Sequence, residues 1–358
     1  MRRGKVAVLS NGRIDITTES SPSPQPDELL VHLVAAGICG SDVHRLAGDI
    51  APIAHPICFG HEAVGVIQEI GDNIKEDRVG NPVSVGDMVY WCPVAPCGSC
   101  QECASSNIMR CQDLNWPAPA GYPNAAGFRE YASLNKCCIF IRVPQNTSPL
   151  AVIAFGCAMP TATRRFAKLD NVSKDTAIII QGAGPVGLAC TLLASLAGAR
   201  IIIVIGDPAH RLTAATSLGA THVLSVSSTT VQERAQYIDK ATAGRGADVV
   251  IEAAGVPAAF SEGFDLLGPN GQYLILGLYS GKSVCAVDPV RINNLNLRII
   301  GSLGAEPSHY HQTIQIADIH AERVGLSSFV THTFPLKRLE EAIETVRQGT
   351  PIKAVVTP

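Results

Sequence analysis

The longest uncharged stretch of this 358-residue chain contains a glycine-rich break that limits how it can fold. The stretch is 24 residues without a formal charge, between Asp175 and Arg200. Its break, residues 181–185 with the sequence Gln-Gly-Ala-Gly-Pro, lies near the start, where a transmembrane helix would not normally carry one. A buried strand at Ala177–Ile180, a glycine turn and a buried helix at Pro185–Ala197 explain the same composition. The stretch therefore predicts the first strand and helix of an αβ sheet.

Strands and helices keep alternating beyond this stretch. The next predicted elements are the strand Ile201–Ile205, the helix His210–Leu218, and the strands Val249–Glu252, Tyr273–Leu278 and Leu297–Ile300. Fully apolar short strands that alternate with helices are typical of a doubly wound parallel sheet.

The first 155 residues or so show a different pattern of apolar and turn-forming residues. Turns rich in proline and glycine separate short apolar runs at Lys5–Leu9, Glu28–Ala35, Glu62–Ile70 and Asp87–Trp91. This pattern predicts an irregular antiparallel β domain. Two helix-like segments and a strand follow residue 304, at Tyr310–Ala321, Leu336–Arg347 and Lys353–Val356. We expect them to return to the first domain, so that residues 1–158 plus 305–358 form one domain and residues 159–304 the other.

The composition excludes several classes of protein. The chain has 28 Lys+Arg against 31 Asp+Glu, whereas nucleic-acid and membrane-surface proteins carry basic blocks. With 46% hydrophobic and 16% charged residues, it is not intrinsically disordered. No secretory signal is recognised at Met1–Lys5. We therefore expect a cytoplasmic protein that binds neither nucleic acid nor membrane.

Four of the 12 cysteines, Cys97, Cys100, Cys103 and Cys111, form a C-x-x-C-x-x-C-x7-C motif. Two-residue gaps let successive thiolates reach one ion, and the fourth thiolate closes a tetrahedral all-cysteine site. A zinc ion held in this way has no open position and is structural. Four unrelated thiols or an iron–sulfur cluster are the alternatives, and the spacing favours zinc.

A second set of metal-binding residues is spread along the chain. Cys39 begins the run Cys-Gly-Ser-Asp-Val-His, His61 follows 22 residues later, and Cys157 lies at the start of the αβ region. Two thiolates and one imidazole leave the fourth zinc position free, as catalytic sites require. Zinc there would lower the pKa of an alcohol towards neutral, and a deprotonated alcohol expels hydride easily.

The glycine-rich break is itself a binding motif. Gly182, Gly184 and Gly187, with Pro185 and Val186 between the last two, fit G-x-G-x-x-G. The glycines permit a tight turn and a close backbone approach, and the following helix directs its N-terminus at a pyrophosphate. Directly after a strand and at the start of a helix, the motif predicts a dinucleotide site.

Together these motifs resemble those of the zinc-dependent alcohol and polyol dehydrogenases of the medium-chain dehydrogenase/reductase family. The matching pieces run in family order at Cys39–His44, Gly60–Glu62, Gly86-Asp87, Cys97–Cys111, Gly127-Phe128, Cys157 with Thr161, and Gly182–Gly187. The resemblance implies an α/β protein with a GroES-like irregular β catalytic domain and a Rossmann-type doubly wound parallel sheet domain. The active site is then expected in the cleft between the two domains.

The resemblance also implies two zinc ions per chain, one catalytic and one structural. Cys39, His61 and Cys157 look like the catalytic ligands. Glu62 is similar to the family's acid beside the metal, which the polyol branch uses as a ligand while lacking the later cysteine. Since Cys157 is present, Cys/His/Cys ligation is favoured and Glu62 is kept as an alternate ligand.

Three residues near Cys39 resemble groups that handle the proton. Ser41 looks like the hydroxyl that bonds the substrate alcohol and opens a proton relay, and His44 like the outer imidazole of that relay. Asp42 looks like the carboxylate that orients His61.

Five further positions bear on the cofactor. Thr161 matches a family residue that lies near the nicotinamide, and Lys353 matches a basic family residue that contacts the pyrophosphate. The acid that takes the ribose hydroxyls in NAD enzymes should end the second strand, where this chain has Gly206 followed by Asp207. A small residue there often goes with NADP, because it leaves room for the extra phosphate, but Asp207 would repel that phosphate. Arg211 occurs with both preferences, so NAD is favoured and NADP stays possible.

These residues predict hydride transfer between an alcohol, secondary or polyol-like, and a nicotinamide cofactor, interconverting alcohol and ketone or aldehyde. The alternatives are an NADPH-dependent carbonyl reductase of the same family, a non-redox lyase or cyclase, and a non-catalytic binding protein. By family analogy we expect a homodimer or homotetramer. Trp91, Trp116 and Tyr122 either bring aromatic surface near the cleft or pack in the core or a loop, and Gly48–Ile53 is expected to shape the mouth of the cleft.

Overall fold

The structure, a computed structural model, describes residues 2–50, 55–114, 119–121, 123–170, 172–277 and 284–358. Trp116, Tyr122, Leu278 and Ala51–Ile53, which figure in the predictions above, lie outside the described residues.

The strands, in chain order, are β1 (Arg2–Ser10), β2 (Arg13–Ser21), β3 (Glu28–Gly37), β4 (Ile57–Cys58), β5 (Ala63–Ile70), β6 (Met88–Cys92), β7 (Tyr131–Asn135), β8 (Ile139–Arg142), β9 (Ala177–Gln181), β10 (Ile201–Gly206), β11 (His222–Ser225), β12 (Ala247–Glu252), β13 (Leu267–Ile275), β14 (Arg298–Gly301), β15 (Val330–Pro335) and β16 (Lys353–Thr357). The helices are α1 (Gly40–Ala47), α2 (Gln101–Ala104), α3 (Pro149–Ile153), α4 (Ala158–Phe166), α5 (Pro185–Leu196), α6 (Ala209–Ser217), α7 (Val231–Ala241), α8 (Pro257–Asp265), α9 (Pro289–Asn294), α10 (Pro307–Val324) and α11 (Leu339–Arg347). Short 3-10 helices lie at Ile108–Arg110, Leu326–Phe329 and Leu336–Arg338.

The chain divides into two compact units. The first comprises Met1–Pro160 and Gly304–Pro358, and the second comprises Thr161–Leu303.

The second unit is built on a six-stranded sheet with the order β11-β10-β9-β12-β13-β14, in which every described strand pair is parallel. Numbered along the chain, this order is 3-2-1-4-5-6, which is that of a doubly wound sheet. The run Ile178–Ile180 of β9 is fully buried, as expected of a central parallel strand that packs on both faces. The predicted strand, glycine turn and helix of the uncharged stretch are therefore confirmed. The strand order reverses at β9, and sheets of this type bind ligands beyond the carboxyl ends of the strands at such a point.

The first unit contains two sheets. One has the order β2-β1-β4; the other has seven strands in the order β15-β16-β3-β5-β6-β8, with β7 also paired to β3. The described strand pairs within the first 155 residues are all antiparallel, as predicted, whereas β15 and β16, which follow residue 304, run parallel to each other. Strand β16 pairs with the end of β3, with Val355 opposite Gly37 and Val356 opposite Ala36. The C-terminal strand therefore lies beside the segment that leads into Cys39.

Trp91 belongs to the core of the first unit and not to an aromatic binding surface. Its side chain is fully buried, and its indole Nε1 donates to the carbonyl of Ala125 at 2.8 Å. A buried tryptophan normally satisfies its N–H in this way. The expectation that Trp91 contributes aromatic surface near a cleft is therefore corrected.

Within the parts of the chain that the structure describes, every helix is too short or too polar to span a bilayer.

A buried ion pair fastens the loop that follows β11. Arg234 in α7 donates two hydrogen bonds to the carboxylate of Glu262 in α8, from Nε at 2.6 Å and from Nη2 at 2.9 Å. Its Nη1 donates to the carbonyl of Thr229 in the loop at 2.5 Å. The two charged side chains are 4% and 9% exposed, so the loss of either partner would leave the other charge buried and unpaired.

We expect Arg234→Ala to lower the free energy of unfolding by about 3–5 kcal/mol, which urea denaturation would measure. The matched control is the double variant Arg234→Met/Glu262→Leu, which should recover most of the loss because it leaves no buried charge without a partner. Equal stability of Arg234→Ala and the wild type would contradict this account of the pair.

Candidate active site

Four side chains of the first unit converge on one point. Ligand atoms of Cys39, His61, Glu62 and Cys157 all lie within 4.8 Å of one another, and the two sulfur atoms are 3.6 Å apart. Cys39 directly precedes α1, His61 and Glu62 directly precede β5, and Cys157 directly precedes α4. Residues up to 118 positions apart in sequence are therefore brought together by strand pairing.

The first turn of α1 prepares part of this cluster. The carboxylate of Asp42 accepts the backbone N–H of Cys39 at 2.9 Å, which caps the helix, and its other oxygen lies 3.6 Å from Nδ1 of His61. Asp42 is buried. A carboxylate facing Nδ1 directs the opposite ring nitrogen of His61 towards the cluster. Burial acts to lower the pKa of His61, but the charges and hydrogen bonds of Asp42 and Cys39 together outweigh it and hold the pKa well above its ordinary value.

The two thiols of the cluster favour a bound cation. A hydrogen bond from Cys157 holds the pKa of Cys39 well below its usual range, although burial opposes this. The same contact, together with burial, raises the pKa of Cys157. A half-buried thiolate is stabilised by a positive partner, and two sulfur atoms with one imidazole are a donor set that zinc prefers. The residues present therefore fit a zinc ion with three protein ligands.

Behind the cluster lies a buried ion pair between Glu62 and Lys353. One oxygen of Glu62 accepts the backbone N–H of Cys157 at 2.9 Å, and the other is bonded to the ammonium of Lys353. The ammonium also donates to the carbonyl of Ile38 at 3.0 Å, and Lys353 is only 2% exposed. The hydrogen bonds of Lys353 therefore go to Glu62 and Ile38, and its expected contact with a cofactor pyrophosphate stays a prediction.

Helix α1 carries the two residues predicted to move a proton. Ser41 and His44 are three positions apart, so they are neighbours on the helix surface. Nδ1 of His44 lies 2.9 Å from Oδ2 of Asp49, a residue that the sequence motif does not include. Asp49 could have been found from Gly48, because a glycine after a helix signals a chain reversal that returns the next residue to the last turn.

The second cysteine cluster is also assembled. Ligand atoms of Cys97, Cys100, Cys103 and Cys111 lie within 4.8 Å of one another, and Cys103 with Cys97, Cys103 with Cys100, and Cys100 with Cys111 have sulfur–sulfur distances of 3.9, 3.5 and 3.9 Å. Backbone hydrogen bonds from Ser99 and Cys100 lower the pKa of Cys97 to about 6, which favours the thiolate that a metal binds. Four sulfur donors without a further ligand fit a closed, structural zinc site.

The glycine turn of the second unit leaves room where a dinucleotide would approach. Gly182 has φ +105°, and a side chain there would lie 2.8 Å from the backbone of Ala253. A side chain at Gly187 would overlap the carbonyl of Gly182. Beside Gly184, which caps α5 ahead of Pro185, no described atom lies within 4 Å of where a Cβ would be. The backbone at the N-terminus of α5 is therefore open to a phosphate, as the motif requires. Val186 follows in the first turn of this helix, and Thr161 lies in α4.

The end of β10 differs from what the sequence suggested. A Cβ at Gly206 would lie 2.8 Å from the nitrogen and 2.9 Å from the Cβ of Ala183, so the space beside Gly206 is already filled. It is therefore not room for an extra phosphate. The first carboxylate at this edge belongs to Asp207, whose Oδ1 accepts the hydroxyls of Ser225 at 2.8 Å and Ser227 at 3.2 Å, and whose Oδ2 accepts the N–H of Ser227 at 2.8 Å. Burial acts to raise the pKa of Asp207, but these hydrogen bonds outweigh it and lower the pKa. Arg211 lies in α6, partly buried, and burial lowers its pKa.

Comparison with known proteins identifies both units. Residues 25–145 match the family model of the alcohol dehydrogenase GroES-like domain, and residues 185–318 match that of the zinc-binding dehydrogenases. The chain is 36% identical over 357 residues to 5-exo-hydroxycamphor dehydrogenase of Pseudomonas putida, covering 99% of each chain. It is 29% identical over 372 residues to L-threonine 3-dehydrogenase of Bacillus subtilis, covering 100% of each.

Solved structures agree with these sequence relatives. An alcohol dehydrogenase of Thermotoga maritima superposes with a TM-score of 0.92 at 28% identity, covering 100% of each chain. A zinc-binding dehydrogenase of Sinorhizobium meliloti bound to NADP gives a TM-score of 0.86 at 25% identity, again covering 100% of each chain. The predicted GroES-like and Rossmann-type architecture is confirmed. The chain therefore belongs to the medium-chain family of zinc-dependent alcohol and polyol dehydrogenases, and it is an oxidoreductase that acts on an alcohol.

Proposed function

We propose that this enzyme oxidises a secondary alcohol to a ketone with NAD, and catalyses the reverse reduction. The observation that carries the proposal is the convergence of Cys39, His61 and Cys157 within 4.8 Å of one another. Three such donors leave one zinc position open for chemistry, whereas a purely structural site would be closed.

The proposed catalytic ligands are Cys39, His61 and Cys157. Zinc held there supplies Lewis acidity that lowers the pKa of the alcohol hydroxyl. Asp42 orients His61 from behind, which fixes the ring nitrogen that faces the cluster. Glu62 stays an alternate ligand, but its hydrogen bonds to Cys157 and Lys353 favour a role in holding the ligand-bearing segments.

The proposed proton path begins at Ser41. Its hydroxyl accepts the proton of the alcohol and passes it to His44, from which it reaches solvent. Support comes from the spacing of the two residues on α1 and from the partial exposure of His44, which is 36%.

We expect the wild type to bind two zinc ions per chain, counted by atomic absorption. Cys39→Ser and His61→Ala should each retain one zinc and lose about 100-fold or more in kcat, because the Lewis acid is lost. Cys97→Ser should lose the other zinc and lower the thermal midpoint, because the segment that the cysteines hold has otherwise only a four-residue helix and one 3-10 turn. The matched control is Cys285→Ser, which changes a thiol outside both clusters and should keep both ions. Retention of two zinc ions and full activity by the first two variants would exclude the proposed ligands.

NAD is the proposed cofactor, with the glycine turn of residues 182–187 receiving its pyrophosphate and Thr161 lying near its nicotinamide. The support is the fixed, ionised carboxylate of Asp207 at the end of β10, together with the filled space at Gly206. A specific observation favours the runner-up, an NADPH-dependent carbonyl reductase: the Sinorhizobium meliloti relative was solved with NADP. The position of Arg211 in α6 is compatible with both.

The carboxylate of Asp207 should exclude the 2′-phosphate of NADP. Repulsion between unit charges 4 Å apart in water is about 1 kcal/mol, so a doubly charged phosphate is disfavoured by roughly 2 kcal/mol, or about 30-fold. Asp207→Ala should therefore lower the ratio of kcat/KM for NAD over that for NADP by about 30-fold. Ser228→Ala, in the neighbouring loop, should leave the ratio unchanged. A wild type that prefers NADP would instead establish the reductase alternative.

The proposed substrate is a secondary alcohol on an apolar ring skeleton. The 36% identical relative is named for 5-exo-hydroxycamphor, a bicyclic secondary alcohol, while a relative named sorbitol dehydrogenase, from Halalkalibacterium halodurans, is 25% identical. Each methylene buried on binding stabilises a complex by about 0.8 kcal/mol, so a ring skeleton gains more from burial than a polyol does.

A panel of 5-exo-hydroxycamphor, cyclohexanol, sorbitol and ethanol with NAD tests the substrate class. We expect kcat/KM for the better ring alcohol to exceed that for sorbitol and ethanol by roughly tenfold or more. The absorbance of the reduced nicotinamide reports the rate. If sorbitol were the best substrate, the enzyme would act on polyols and the proposed substrate class would be wrong. Product formation without a change in cofactor would indicate the lyase or cyclase alternative.

The homodimer or homotetramer and the cytoplasmic location expected from the sequence remain predictions. Self-association is supported by β14, which lies at the edge of its sheet and exposes Ile299 at 42%. An unpaired apolar edge strand is a ready surface for another chain. We propose that residues 1–158 plus 305–358 form the catalytic domain and that residues 159–304 form the cofactor domain. The grounds are the site residues themselves, because the proposed zinc ligands lie in the first set and the glycine turn lies in the second.

A further inference from the structure

His44 has a carboxylate partner outside the recognised motif. Its Nδ1 lies 2.9 Å from Oδ2 of Asp49. The side chains are 36% and 49% exposed, and ion pairs this exposed contribute little to stability. The consequence of the contact is therefore to be sought in the chemistry of the imidazole.

The backbone at the end of α1 builds this contact. Gly48 follows the helix in the left-handed conformation, with φ +81°. Its N–H donates to the carbonyl of Arg45 at 3.2 Å, and the N–H of Asp49 donates to the carbonyl of His44 at 2.9 Å. The chain therefore reverses immediately after the helix, and Asp49 returns over the last turn, where His44 lies.

The contact determines which ring nitrogen of His44 carries the hydrogen. A carboxylate only accepts hydrogen bonds, so Nδ1 must be the donor, and Nε2 of the neutral ring keeps its lone pair. The carboxylate of a Ser-His-Asp triad acts in the same way: it holds one tautomer and stabilises the imidazolium when it forms.

We infer that Asp49 is a positioning residue of the proton path, which holds His44 in the Nδ1–H tautomer so that Nε2 receives the proton passed on by Ser41. The inference rests on the proposed function, because it requires His44 to be the outer group of the relay. The proton that leaves the alcohol converts the imidazole to imidazolium, and water then removes one proton and restores the neutral ring. Asp49 accepts the hydrogen bond of Nδ1 throughout and acts only through His44.

Nitrogen-15 NMR of the zinc-loaded enzyme with labelled histidine reads the tautomer directly. The His44 signals are assigned by their loss in His44→Gln. The wild type should show the Nδ1–H form, and Asp49→Ala should shift towards the Nε2–H form that imidazole prefers in water. Asp49→Asn, whose amide oxygen still accepts from Nδ1, should keep the wild-type tautomer. An Nε2–H ring in the wild type, or an unchanged ring in Asp49→Ala, would overturn the inference.

Kinetics then separate an effect through His44 from a general effect on the loop. With NAD and the best alcohol of the panel, Asp49→Ala should lower kcat about five- to tenfold and leave KM within about twofold, a smaller loss than in His44→Ala. On the His44→Ala background, Asp49→Ala should have no further effect, because the two act as one unit. Asp72→Ala, at an exposed aspartate in a turn of the first unit, is the matched control and should keep wild-type kcat.

The outcomes distinguish this inference from the function on which it rests. If His44→Ala keeps wild-type kcat, the proposed relay is wrong and the role of Asp49 falls with it. If His44→Ala is impaired but Asp49→Ala is not, or if Asp49→Ala adds a further loss on the His44→Ala background, the relay stands and only the role of Asp49 is refuted.

Discussion

The buried carboxylate of Glu62 holds together the chain segments on which the ligand cluster depends. It accepts the N–H of Cys157 and is paired with the ammonium of Lys353. Gly37 and Gly156 approach it so closely that a side chain at either position would overlap the carboxylate. Because a buried carboxylate is costly without its cation, the end of β3, the segment before α4 and β16 must converge here. The ligand cluster forms where these segments meet.

The dinucleotide side of the molecule depends on close backbone packing. Gly182 and Gly187 allow the turn after β9 to fold tightly, and the same turn places Ala183 against Gly206 at the end of β10. An acidic side chain cannot occupy position 206 once that space is filled. The carboxylate at this edge is therefore displaced by one residue to Asp207, where hydroxyls and a backbone N–H from the loop after β11 keep it ionised. Packing in the turn therefore determines that the negative charge at the end of β10 lies at Asp207 and not at position 206.

The sequence predicted those strands and helices whose apolar pattern is strong over a few consecutive residues. Strand β9 was predictable because a buried parallel strand reads as a continuous apolar run. Strand β2 and helix α7 were not predicted: β2 is mostly exposed and polar, and of the 11 residues of α7 only Arg234 and Ile238 are buried. The parallel pairing of β15 with β16 was missed as well, because strand direction depends on the path of the chain between the two strands and not on the residues within them.

The sequence by itself determined the spacing of the cysteines at 97–111 and the glycine turn, because each depends on residues a few positions apart whose geometry the covalent chain already restricts. Only the tertiary structure decided that the ammonium of Lys353 pairs with Glu62, 291 positions away. It also decided that Ala183 fills the space beside Gly206 and that Asp49 faces His44. The physical reason is that burial and strand pairing bring side chains together in a way that local spacing does not encode. A buried ammonium takes the partner beside it in the fold, whatever role its place in the sequence suggested.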